Sequence, residues 1–186
     1  MSHDKSTRGN ASQFFVAGEL CRRGYAAVVT MGNTPNTDVL CSNLAGTKFV
    51  HTQVKTFVPG NRTCNVGIKA EQDCGPNFFW VLGGIPMLNS ERPFMYYIIP
   101  SADMSTNISN IHRKWLSMPG KEGRQHRDSK VRAVNVSRMS ERGQQSHPRG
   151  RWHVRWSVTT PVVLCSNYRL PNRLVRKSWG LGTSST

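Results

Sequence analysis

The sequence predicts a mixed α/β fold, a central sheet flanked by helices. Three observations carry this reading. An amphipathic run at helical spacing opens the chain at 13–23. A series of short β-branched and aromatic segments, punctuated by Gly, Pro and Asn, follows between 25 and 100. A second helical run closes the series at 101–116.

Each element has a local cause. In 13–23, QFFVAGELCRR, Phe15/Val16, Glu19/Leu20 and Arg23 recur at three and four, and Gly24 supplies the stop. YAAVVT at 25–30 reads as a short apolar strand, MGNTPNT as a loop, and DVLCS at 38–42 as the next strand. NLAG turns the chain into TKFVHTQVKTF, 47–57, a long strand rich in β-branched and aromatic residues. CNVGIKA at 64–70 is a weaker strand, and FFWVLGGI at 78–85 and PFMYYIIP at 93–100 are strong buried ones. Trp80, Tyr96 and Tyr97 fall on these last two and are expected in the core. SADMSTNISNIHRKWL begins with Ser101 as a cap and an acid in its first turn. Beyond 135 the chain is basic and poor in pattern, apart from a strand-like run near 152–166, so 136–186 is expected to be an extension.

Composition narrows the function. At 37% hydrophobic residues the chain can bury a core, and no run approaches the roughly 18 apolar residues of a membrane span. The polar start, without an apolar leader stretch, leads to the expectation of a cytoplasmic protein that is not held at a membrane. Five cysteines without a C-x-x-C argue against a disulfide framework or a zinc knuckle. The net charge of +15 points to a polyanionic partner, nucleic acid first. Residues 1–130 carry +6 of this and 131–186 carry +9, while only Glu19 and Asp38 are acidic between Lys5 and Ala70. Two lone carboxylates in a basic half are candidates for metal ligands or ion pairs.

The hairpin between 38 and 57 gathers the polar residues. A turn centred near Leu44–Ala45 makes paired positions sum to roughly 90, which sets Asp38 opposite Thr52 or Gln53. Side chains alternate along a strand, so His51, Gln53 and Lys55 share one face. A carboxylate, an amide oxygen and an ammonium would meet at the open end of the hairpin. Phosphodiester hydrolysis uses such a set: a divalent cation stabilises charge and activates water, and Mg²⁺ needs few protein oxygens. Asp38 would supply one, Gln53 a neutral second and the Val54 carbonyl a third. Lys55 would hold the phosphate or the attacking water, and Glu19 would reach the same end of the sheet. A solvated face with a Lys–Asp ion pair accounts for the same spacing.

The run from Glu19 through RRGYAAVV, TPNTDVL and HTQVKT resembles the PD-(D/E)XK nuclease superfamily, in a bacterial branch with QVKT in place of E-x-K. FFWVLGGIP, YYIIPS and HRKWLSMPGKEGRQHRD extend the resemblance over 9–135. It implies a restriction-endonuclease-like αβββαβ core, Mg²⁺ (or Mn²⁺) as cofactor, and DNA as the substrate of an endonuclease. Asp38 then matches the metal-binding aspartate, Lys55 the catalytic lysine, and Glu19 the first-helix glutamate of Holliday junction resolvase-like members. Gln53 stands where an acid is usual. Nuclease folds of this kind often pair, so a homodimer is an expectation, and so is a protein that keeps the fold and binds nucleic acid without cutting it. Arg22, Arg23, Lys69, Arg113 and Lys114 are the expected backbone-contacting cations.

Overall fold

A computed structural model describes residues 5–31 and 34–137, with the backbone of 154–157. The mixed α/β class is found. The order is α1 (Lys5–Arg22), β1 (Ala26–Val29), β2 (Val39–Ser42), β3 (Phe49–Phe57), β4 (Thr63–Asn65), β5 (Phe78–Gly84), β6 (Met95–Pro100), α2 (Ser101–Ser117), β7 (Ala133–Asn135) and β8 (Val154–Ser157). The main sheet runs β1-β2-β3-β5-β6-β8, and β4 pairs with β7 in a small second ladder. Every neighbouring pair is antiparallel except β3 and β5, whose parallel register sets Gln53 beside Trp80 and Lys55 beside Leu82. A parallel pair needs a crossover. Here it passes through β4 and a single 3-10 turn at Ile68–Glu71.

The two faces of the sheet bury different partners. On one, Val16 and Ala17 of α1 pack on Val39, Val54, Val81 and Tyr96. On the other, Met104 and Ile108 of α2 pack with Phe57, Trp80, Leu82, Tyr97 and Ile99. Leu82, Met104 and Ile108 are fully buried, each contributing about 1.5–3 kcal/mol of apolar transfer. Alternation along β3 therefore gives Val54 to the α1 face and Gln53 and Lys55 to the α2 face.

Several boundaries differ from expectation, for tertiary reasons. α1 begins at Lys5 rather than 13, and the added turns include Ser12, which is buried against the sheet at Gly83. The strand expected over 64–70 stops at Asn65, and Gly67, at a φ of 78°, turns the chain into the 3-10 turn. Ser101 does not cap α2. Pro100 holds that position, and the Ser101 hydroxyl accepts a 2.7 Å bond from the Cys74 N–H. Trp80, Tyr96 and Tyr97 are buried as expected. Cys21, Cys41, Cys64 and Cys74 are free thiols. Among the described residues no helix is long and apolar enough to cross a membrane. The extension beyond 137 lies outside the described residues, save the backbone of β8.

A Cβ on Gly83 would run into the Ser12 hydroxyl, yet would stand 3.5 Å from the Ser12 Cβ. Gly83→Ala is therefore expected to cost about 1–3 kcal/mol of stability. Ser12→Ala, which removes a buried hydroxyl that has no partner among the described residues, should return most of that cost in the double variant. Denaturant midpoints of the four proteins test this, and simple additivity would contradict it.

Candidate active site

Asp38 is fixed by backbone on both sides. Its N–H donates to the Thr52 carbonyl at 2.8 Å, and its own carbonyl accepts from the Thr30 N–H at 3.0 Å. Val39 pairs with Thr52, so paired positions sum to 91 and Asp38 stands opposite Gln53. At this open end of the hairpin the side chain takes over from the ladder. Asp38 Oδ2 accepts the Val54 N–H at 2.7 Å and a second, short bond from the Gln53 amide. Both bonds fall on one oxygen, which leaves Oδ1 without a hydrogen bond among the described residues.

Lys55 lies one turn of the pleat further along the same face, half-buried and without an ion-pair partner among the described residues. Burial pushes the neighbouring Cys64 thiol up to about 12, with the Lys55 ammonium pulling the other way. Cys64 is thus protonated at neutral pH and offers no thiolate nucleophile. Trp80 lines the same space; it is 2% exposed, and its indole N–H finds no acceptor among the described residues. Asp38, Gln53, Lys55 and Trp80 line a cavity of about 590 Å³, with Thr34, Pro35 and Asn36 forming part of its wall.

Two further lysines reach the cavity through a buried ion pair. The Arg132 guanidinium, 4% exposed, meets Glu71 at 2.6 Å. It also donates to the Ser129 and Val131 carbonyls, and it reaches Asp128 at 3.4 Å. Its own carbonyl accepts from the Val66 and Gly67 N–H groups. The segment ending at Arg132 is thereby clamped to the 3-10 turn, which brings Lys130 and Lys69 to the cavity wall together. Lys69 also donates to the Asn36 side chain at 3.2 Å, and Asn36 takes a left-handed φ of 57° that asparagine tolerates. Asp128 continues the chain of contacts to His112 of α2 at 2.8 Å.

The expected site residues divide. Asp38, Gln53 and Lys55 are brought together, and Lys69 joins them. Glu19 does not. It sits on α1, across the sheet, with its carboxylate held by Arg22 at 2.7 Å and Arg23 at 2.6 Å. The Val54 side chain is buried under α1 while its N–H serves Asp38. Arg113 and Lys114 are exposed on α2 and do not line the cavity. Trp80 and Asn36 were not legible as site residues, since one reads as core and the other as turn. Lys130 read only as one more loop cation, because the ion pair that places it spans 61 positions from Glu71 to Arg132.

Among the described residues no three His, Cys, Asp or Glu side chains cluster as a metal site. The donor set fits Mg²⁺ in a limited way. Mg²⁺ accepts one or two carboxylates and completes its shell with water and phosphate oxygens, and Asp38 with its open Oδ1 supplies one.

No protein-family model matches the chain. No curated protein sequence matches it. A solved structure, that of a Holliday junction resolvase from the archaeal hyperthermophile Archaeoglobus fulgidus, aligns with 70% of this chain and 85% of its own at 15% identity, with a TM-score of 0.37.

The Arg22 bond, opposed by partial burial, holds the Glu19 carboxyl below its ordinary 4.5. A depressed folded value stabilises the protein above the unfolded pKa and is lost as pH falls through the folded one. Glu19→Gln should therefore cost about 1 kcal/mol at pH 7, allowing for solvent screening. The gap should close below the ordinary carboxylate range. Denaturant unfolding at the two pH values measures it, and a gap that persists in acid would contradict the ion-pair account.

Proposed function

We propose that this chain is a metal-dependent endonuclease that hydrolyses DNA phosphodiester bonds at the Asp38–Gln53–Lys55 cavity. One observation carries the proposal: a carboxylate, an amide and an ammonium from paired strands converge in a cavity whose remaining charges are the lysines 69 and 130. Mg²⁺ or Mn²⁺ would be held by Asp38, with the Gln53 side-chain oxygen and the Val54 carbonyl available to its shell. Such a cation supplies Lewis-acid stabilisation of the phosphoryl oxygens and a water of lowered pKa.

The chain's own residues do the rest. Lys55 steadies the scissile phosphate and the charge that grows on it. The Val54 N–H fixes the Asp38 carboxylate so that it needs no reorganisation when substrate arrives. Lys69 and Lys130 take the flanking phosphates, while Arg22, Arg23, Arg113 and Lys114 are backbone contacts away from the reacting group. Glu19 acts as a brace for Arg22 and Arg23. A homodimer would give the second cut of a duplex.

A second reading rests on the Gln53–Asp38 bond. The neutral amide satisfies the carboxylate that a cation would otherwise claim, which suits a protein that holds DNA without cutting it. Incubating labelled duplex, single-stranded and four-way-junction DNA with Mg²⁺, Mn²⁺ or chelator separates the two. The nuclease account expects cation-dependent cutting that falls by about 10²-fold or more in Lys55→Ala. Binding without cutting, indifferent to Lys55→Ala, would leave the second reading in its place.

A further inference from the structure

The cavity is built to receive an anion before a cation. Among the described residues its charged lining is three lysines, Lys55, Lys69 and Lys130, against the single carboxylate of Asp38. A divalent cation entering alone would meet an excess of positive charge. Half of that carboxylate is already taken, because Val54 N–H and the Gln53 amide both donate to its Oδ2, which leaves a cation only Oδ1. Were position 53 acidic, two carboxylates would face each other and a cation would be needed to hold them together. With glutamine there, the pair is complete without one.

The donors tell the same story. Three ammonium groups stand around Asp38, whose Oδ2 is in use, and the neutral oxygens of Asn36 and Gln53, of which Asn36 already accepts from Lys69. The ligand such a set lacks is rich in acceptors and negatively charged. A phosphodiester backbone supplies both, and its oxygens, beside Asp38 Oδ1, then provide the negative charge that a divalent cation requires.

We propose that phosphate binds this cavity first and the divalent cation second, so that the cation is captured only in a ternary complex with nucleic acid. The proposal rests on reading the cavity as a phosphodiester site, and it adds an order of assembly set by Gln53. Binding linkage is reciprocal, so DNA should raise the affinity for the cation by the same factor that the cation raises the affinity for DNA.

Two titrations of the full chain test it. In one, Mn²⁺ is added to the protein alone, and bound ion is read by loss of the free-ion electron paramagnetic resonance signal. In the other, a short labelled duplex with phosphorothioate linkages is titrated at constant ionic strength in chelator and in Mn²⁺, followed by fluorescence anisotropy. The free protein should take up no Mn²⁺ below millimolar. DNA should bind in chelator and about ten-fold or more tightly with Mn²⁺. Asp38→Asn, which keeps an acceptor for the Val54 N–H, should retain binding in chelator and lose the tightening. Gln53→Glu should bind Mn²⁺ without DNA. Equal Mn²⁺ affinity in free and DNA-bound protein would overturn the order, and if that protein also cuts DNA the nuclease reading survives. DNA binding that is indifferent to Mn²⁺, together with no cleavage, would overturn both.

Discussion

The register of β3 is the constraint on which the rest of the structure depends. This strand is held antiparallel to β2 and parallel to β5. Its alternate residues serve opposite purposes. Val54 seals the core beneath α1, while Gln53 and Lys55 face the cavity. A slip of one residue would put an amide and an ammonium under α1 and a valine into the cavity. The register is defended by hydrophobic burial on one face, and by the Asp38 carboxylate on the other. That carboxylate accepts the Val54 N–H and so closes the ladder at the end where the hairpin opens. The same bond that fixes the strand thus presents the acid.

How the lysines arrive is a separate matter of long-range electrostatics. Arg132 is nearly excluded from water, and a buried guanidinium is tolerable only with its partners in place. Glu71 and three acceptors around it satisfy that requirement. The outcome is a rigid link between the crossover and the segment that follows α2. Lys69 and Lys130 are carried on its two halves. The cationic wall of the cavity is therefore a by-product of satisfying one buried charge.

Much of this was legible in the sequence, and the remainder was hidden for identifiable reasons. Period-two alternation and a short turn narrowed the partner of Asp38 to Thr52 or Gln53, since hairpin pairing is local, and the register of β2 on β3 decides for Gln53. The class of the fold followed from helical and strand periods. The start of α1 was not legible, because Ser12 is polar and its burial is decided by Gly83, 71 positions away. Glu19 read as a site residue because it was one of two acids in a basic stretch. The nearness of Arg22 and Arg23 at helical spacing was the signal that it would be claimed locally. The wall formed by Lys69 and Lys130 could not be read without knowing that Glu71 and Arg132 meet.

Gln53 gives the site its character: its neutral amide occupies Asp38 Oδ2 and leaves a cavity short of negative charge. The claim that a phosphodiester fills it is tested most directly by a crystal structure of the full chain with a phosphorothioate oligonucleotide and Mn²⁺, using anomalous scattering to locate the ion. The account predicts a phosphate between Lys55 and Lys69, with the Mn²⁺ peak shared between that phosphate and Asp38. An oligonucleotide seated elsewhere, with no anomalous peak at Asp38, would contradict it.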